Sequence, residues 1–188
     1  MTQAGKIELQ WLGHATFKIR TPAGKTVLVD PWVMENPACP DEWKSFDAVD
    51  TMLITHGHFD HNAAVTQLKE RIDADFLAHK DDLSFITGSI VSALDWGVDI
   101  EQVPNPDRYI KDGGIVRVGK LEFQVIHTPG QSPGGCCFYV QSENMLFTGD
   151  TLACGSVGRT DFEGGSFEDL HYSIKHKLFT LPDNTVVY

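Results

Sequence analysis

Near the start of the chain, β-prone residues come in short runs separated by turn formers. Ile7 to Leu12 and Thr16 to Arg20 precede the turn Pro22-Ala23-Gly24, and Thr26 to Asp30 forms a third run stopped by Pro31. Such runs, punctuated by Gly and Pro, predict an antiparallel meander. Trp32 to Ser45, rich in Pro and Trp, reads as a loop. Loops of this length often border sites, although a packed crossover would look the same. Thr51-Met52-Leu53-Ile54-Thr55 is apolar enough for a buried strand, and a helix is predicted from about Asn62 to Arg71. Phe76 to His79 reads as a short strand, and the spacing of apolar residues from Asp81 to Trp96, closed by Gly97, as an amphipathic helix. The second half offers strands at Ile115 to Val118, Leu121 to His127, Cys136 to Gln141 and Met145 to Thr148, a helix over Phe167 to Leu178, and a strand starting at Thr185 to Tyr188.

Strands, helices, more strands and a final helix predict an α/β protein in which two packed sheets carry helices on their outer faces, a four-layer αββα sandwich. With 188 residues and no repeat or evident linker, one domain over residues 1–188 is expected.

Composition narrows the function classes. The hydrophobic fraction is 41%, and no apolar run approaches the ~20 residues of a membrane span, so no membrane partner is expected. Met1 to Glu8 lacks a basic start with an apolar stretch behind it, which makes the cytoplasm the expected compartment. A formal charge of −11, from 26 acidic residues against 15 Lys plus Arg, disfavours a nucleic-acid partner. The acids are scattered, as on a solvated surface, with metal ligands as a remainder. Cys39, Cys136, Cys137 and Cys154 form no C-x-x-C pair and read as buried or half-buried packing residues. Cys136 and Cys137 are neighbours on a predicted strand and should face opposite ways.

The densest chemistry is His56-Gly57-His58-Phe59-Asp60-His61, expected to lie in a turn at the C-terminal end of a buried strand. Imidazole nitrogen and carboxylate oxygen are the donors that zinc takes, and also iron or manganese. Gly57 is expected to let the backbone turn tightly enough for these side chains to converge. A two-metal site also needs a bridging carboxylate from elsewhere in the chain. Asp150, after the apolar run Met145-Leu146-Phe147-Thr148-Gly149, is the candidate. Alone it would read as an ordinary Gly-Asp turn, and the histidine cluster reverses that preference.

The cluster matches the H-x-H-x-D-H motif of the metallo-β-lactamase superfamily. The later half, with His127-Thr128-Pro129-Gly130, Leu146-Phe147-Thr148-Gly149-Asp150-Thr151-Leu152 and Gly155-Ser156-Val157-Gly158-Arg159-Thr160-Asp161, resembles its type II glyoxalase-like hydrolases. Trp11-Leu12-Gly13-His14-Ala15-Thr16 and Leu28-Val29-Asp30-Pro31-Trp32 resemble a second branch of small metal-dependent hydrolases, so the chain reads as a hybrid of two branches, natural or recombined. The resemblance implies the αββα fold, with His56 and His58 on a first metal, Asp60 and His61 on a second, Asp150 between them, and Asp30 orienting a ligand histidine. His14 is either a hydrogen-bond partner of the site or a turn residue.

Two departures stand out. The glyoxalase-like pattern places a metal-binding His where this chain has Gln131, and its further second-metal His would lie beyond Tyr188. A neutral amide is a weaker ligand for zinc than imidazole. Of His79, His127, His171 and His176, only His127, four residues from Gln131, is a candidate to compensate.

The leading expectation is hydrolysis of a small ester, thioester, lactone, β-lactam or phosphodiester by water activated at one or two metal ions, zinc first, with Asp60 positioning the water. Arg159 would hold an anionic substrate group or pair with Asp161. The alternatives are a folded scaffold with an impaired site and an iron-dependent sulfur dioxygenase. A homodimer through the terminal strand stays open.

Overall fold

The computed structural model describes residues 6–188; Met1 to Gly5, most of the stretch read for a leader, lie outside the described residues. The meander forms as predicted. Strands β1 (Glu8–Trp11), β2 (Phe17–Arg20) and β3 (Thr26–Val29) are antiparallel, with Glu8 opposite Arg20 and Phe17 opposite Val29. Strands β4 (Thr51–Leu53), β5 (Asp75–His79) and β6 (Arg108–Ile110) then add in parallel, giving a six-stranded sheet in the order β1-β2-β3-β4-β5-β6. Strand β6 was not legible in the sequence. Its Arg108 and Tyr109 are exposed and only Ile110 is buried, too short a stretch to show alternation.

The second sheet contains β7 (Ile115–Val118), β8 (Leu121–His127), β9 (Cys136–Val140) and β10 (Met145–Phe147). A small hairpin, β11 (Leu152–Ala153) and β12 (Ser156–Val157), follows, and β13 (Val186–Val187) runs parallel to β10 at the sheet's edge.

Alternation of side chains sorts the apolar residues into three layers. Ile19, Val27, Val29, Leu53 and Leu77 of the first sheet meet Phe123, Val125, Phe138 and Phe147 of the second. On the outer face of the first sheet Leu28, Met52, Ile54 and Phe76 pack under the helices, with Val65, Leu68 and Ile86 covering them. On the outer face of the second, Ile126, Cys137 and Tyr139 pack against Leu170, Ile174 and Leu178. The result is the expected αββα sandwich. Cys136 faces the inter-sheet core and Cys137 the opposite layer, as their adjacency requires, whereas Cys154 is exposed rather than packed.

The helices depart from expectation in detail. The segment expected as one helix from Asn62 begins earlier, as α1 (Phe59–Asn62), and resumes as α2 (Val65–Lys69). The break has a visible cause, because the Ala64 amide donates to the carbonyl of Pro31 at 2.9 Å. The next helix starts with a 3-10 turn, Lys80–Asp82, before α3 (Leu83–Asp95). The last is α4 (Phe167–Ser173), capped by the Ser166 hydroxyl accepting from the Asp169 amide, and then widens into a π turn over Ile174–Leu178. The terminal strand is shorter than the expected Thr185 to Tyr188. Among the described residues, no helix is long and apolar enough to cross a membrane.

Candidate metal centre

The centre lies where the C-terminal ends of β3, β4 and β10 meet the N-terminus of α1. Asp30 is fully buried just past β3, in a left-handed conformation at φ +49° that non-glycine residues rarely adopt. Such strain is tolerated where surrounding bonds over-determine the residue. Here the Thr55 amide donates to Asp30 Oδ1 at 2.7 Å, the Thr55 hydroxyl donates to Oδ2 at 2.6 Å, and His61 Nδ1 lies 2.9 Å from the same Oδ2.

These contacts dictate two tautomers. In its neutral form His61 carries its proton on Nδ1, shared with Asp30, which leaves Nε2 as a lone pair. The Thr55 hydroxyl spends its proton on Asp30 and can only accept from His56 Nδ1, 3.2 Å away. His56 Nε2 is therefore also a lone pair, and it faces His58 Nδ1 at 3.0 Å. One buried carboxylate thus aims two imidazoles.

Asp60 and His61 belong to the first turn of α1, so the cluster is half turn and half helix rather than the turn expected. Gly57 is required by space rather than by an unusual φ, since a Cβ there would come 2.6 Å from Phe85 Cβ and 2.9 Å from the Asp82 carbonyl oxygen. Asp150 follows β10 and approaches from the other sheet. Its Oδ1 lies 3.3 Å from His61 Nε2, and its Oδ2 accepts from Gln131 Nε2 at 2.8 Å.

His14, also at positive φ, places Nε2 3.0 Å from Asp60 Oδ2 and 3.3 Å from His61 Nε2. Ligand atoms of His14, His61 and Asp150 all lie within 4.8 Å of one another.

The electrostatics suit a cation. Burial and the neighbouring His61 and His58 hold the His56 imidazole well below its ordinary pKa, in the neutral form that ligates. Burial does the same to His58. Burial also disfavours charge on His61, but Asp30 and Asp150 outweigh it and raise that group well above the imidazole range, so the ring without an ion is protonated at Nε2 as well and a bound metal takes the place of that proton. Burial opposes ionisation of Asp60 and Asp150 too, and is overcome, chiefly by the hydrogen bond from His14 at Asp60 and by His61 at Asp150, leaving both carboxyls well below the usual range.

Two functional residues escaped the sequence reading. Thr55 looked like the end of a strand, and its role shows only when Asp30 arrives beside it. Asp82, 1% exposed, reads as an ordinary residue before a helix. Its Oδ2 accepts from the Gly57 amide at 2.8 Å and the Ser132 hydroxyl at 2.7 Å, and its Oδ1 from the Gly134 amide at 2.6 Å. It ties the histidine turn to the Gln131 loop.

One candidate, His127, is placed elsewhere, and Arg159, on the groove's edge, takes the ion-pair alternative expected of it. His127 does not reach the cluster, because its ring stacks on His79 and its Nε2 is held by the Pro133 carbonyl at 2.8 Å. Arg159 is spent on a two-pronged ion pair with Asp161, at 2.9 and 2.7 Å, while lying over the Phe162 ring. His171 and His176 are exposed, as expected.

A groove of about 700 Å³ opens onto the cluster, with His58, Asp60 and Asp150 on its floor and Trp32, Phe85 and Phe162 among its walls.

The sequence profile of the metallo-beta-lactamase superfamily matches residues 11–188, across both halves of the chain. The probable metallo-hydrolase YqgX of Bacillus subtilis is 34% identical over 137 residues, which is 72% of this chain and 65% of that protein; the chain therefore spans just under two thirds of that relative's length. Among solved structures, the BLEG-1 B3 metallo-beta-lactamase superposes with a TM-score of 0.82 at 28% identity, covering 97% of this chain and 90% of that one. TTHA1623, solved in a di-iron-bound form, gives 0.78 at 32% identity over 98% and 90%. Fold, motif and relatives agree: the chain belongs to the metallo-beta-lactamase superfamily.

Proposed function

We propose that this chain hydrolyses a small ester, thioester, lactone or phosphodiester at a two-metal centre, with zinc as the ion. The observation that carries the reading is the buried Asp30, which sets the neutral tautomers of His56 and His61 so that both offer Nε2 to the cluster. The donor set fits divalent metal, being imidazoles and ionised carboxylates from three separate segments. His56 and His58 would hold the first ion. Asp60, His61 and His14 would hold the second, and Asp150, whose Oδ1 lies 3.3 Å from His61 Nε2, would be the carboxylate the two share.

Bound there, two such ions lower the pKa of water and polarise the oxygen of the scissile group. The protein's own contribution is positioning. Asp60, ionised and about a quarter exposed on the groove floor, accepts a hydrogen bond from the attacking water and holds it toward the substrate. Trp32, Phe85 and Phe162 give the apolar part of the substrate a dry wall, which strengthens every polar interaction beside it. Arg159, already neutralised by Asp161, serves the rim as a structural ion pair rather than as an anion clamp.

Metal analysis of protein purified without chelators tests this reading: the wild type should hold more zinc per chain than Asp150→Asn, by up to the two ions of this centre, with hydrolysis of an aryl ester falling in parallel. Absence of metal from a folded wild-type chain would sink it and leave a scaffold. A second reading, iron with oxygen chemistry, has one specific support, the di-iron form of a neighbour at 32% identity. Iron instead of zinc in the same measurement, together with oxygen consumption, would favour it.

A further inference from the structure

Away from the His56 cluster, the last residues of β5 and β8 bring two more imidazoles together from different sheets. The His79 and His127 rings stack with centroids 4.4 Å apart and planes 12° from parallel. Asp81, two residues past β5, turns its carboxylate back so that Oδ2 lies 3.7 Å from His79 Nδ1. One ligand atom from each of the three lies within 4.8 Å of the other two.

We propose that His79, Asp81 and His127 form a separate binding site for a zinc-like divalent cation. Zinc bonds of about 2.0–2.1 Å set tetrahedral ligand atoms roughly 3.3 Å apart, so the three side chains would draw together on the ion and the two rings splay from their stacked arrangement to aim their in-plane lone pairs at it. The nitrogens are in the right state. His127 Nε2 donates to the Pro133 carbonyl at 2.8 Å, which fixes the proton there and leaves Nδ1 as a lone pair. His79 Nδ1 accepts from the Asp81 amide at a long 3.3 Å, a contact easily exchanged for a metal bond. Burial and the adjacent His127 ring also lower the His79 pKa, favouring the neutral ligand form. Asp81 is exposed and supplies the route in from solvent, with a fourth position left for water.

The site has a mechanical link to the hydrolytic centre. Asp82, next to Asp81, bonds the Gly57 and Gly134 amides, and the Pro133 carbonyl that holds His127 belongs to the same loop as Gly134. An ion here would brace the loops that carry His56, His58 and Gln131, which is a structural rather than a catalytic role.

The test counts ions. Chelator-stripped wild type, His127→Gln and Asp81→Asn are equilibrated at about 1 µM free zinc, a level that selects built sites over loose surface binding, and zinc per chain is measured beside circular dichroism. The proposal expects the wild type to hold one ion more than either variant. The difference decides, whatever the total, so failure of the hydrolytic centre to load would not imitate failure here. Equal counts in wild type and folded variants overturn it. Should His127→Gln not fold, Asp81→Asn, altered at an exposed carboxylate, is decisive by itself.

Discussion

Asp30 shows how much a single side chain can decide. In Asp30→Asn the amide oxygen can still accept from the Thr55 backbone, but an NH2 group then faces the Thr55 hydroxyl and His61 Nδ1. His61 would have to accept at Nδ1 and carry its proton on Nε2, the atom aimed at Asp150. Metal affinity should fall about 10- to 100-fold, the usual effect of losing such an orienting carboxylate, with the loss read by competition against a coloured chelator. Gln131 makes the opposite case. Its amide donates to Asp150 Oδ2 at 2.8 Å and occupies space that an imidazole could use as a ligand. Gln131→His should tighten zinc and raise ester hydrolysis; if neither rises, the amide is not what limits the centre. The motif His56-Gly57-His58-Phe59-Asp60-His61 was plain in the sequence because its members are adjacent, and Asp150 because it ends an apolar strand. Thr55 and Asp82 were hidden because their partners lie far along the chain. His127 misled for the converse reason: nearness to Gln131 in sequence says nothing about the face a strand-end ring adopts, and here it turns to His79.

At the scale of elements, the strands were more legible than the helices. Strands β1 to β4 and β7 to β10 announce themselves by short apolar runs between turn formers, and they carry the core. Phe138 on β9 is fully buried between the sheets with Val125 across the ladder and Phe147 on the neighbouring strand. Phe138→Ala should cost about 3–5 kcal/mol, as large-to-small changes in a packed core do, measurable by urea titration with an unchanged slope. Helix boundaries failed where long-range hydrogen bonds intervene. The Pro31 carbonyl takes the Ala64 amide and splits α1 from α2, and no local pattern could disclose that. The split matters for chemistry, because it lets a single short turn, α1, be pinned to β3 while presenting Asp60 and His61 inward.

For the whole molecule, ligand-type groups come from both sheets, so metal and folding are thermodynamically coupled. An ion that binds only the assembled pocket stabilises by RT ln(1 + [L]/Kd), about 2.7 kcal/mol at one hundred times Kd. Stripping the metal should therefore lower the melting temperature by several degrees, and adding zinc back should restore it in a concentration-dependent way; calorimetry with and without chelator checks this. The αββα architecture was legible from element order alone, but the meeting of Asp150 with His61 across two sheets was legible only by resemblance, since nothing local in either strand specifies the other.

The Asp82 carboxylate sits on the first sheet's side, while two of its three partners, Ser132 and Gly134, come from the segment before β9. Anyone exchanging halves between homologous chains therefore inherits a compatibility rule. A donor half that lacks an acid at position 82, or an open amide at 134, would fold its own layer correctly and still deliver the histidine turn and the Gln131 loop out of alignment.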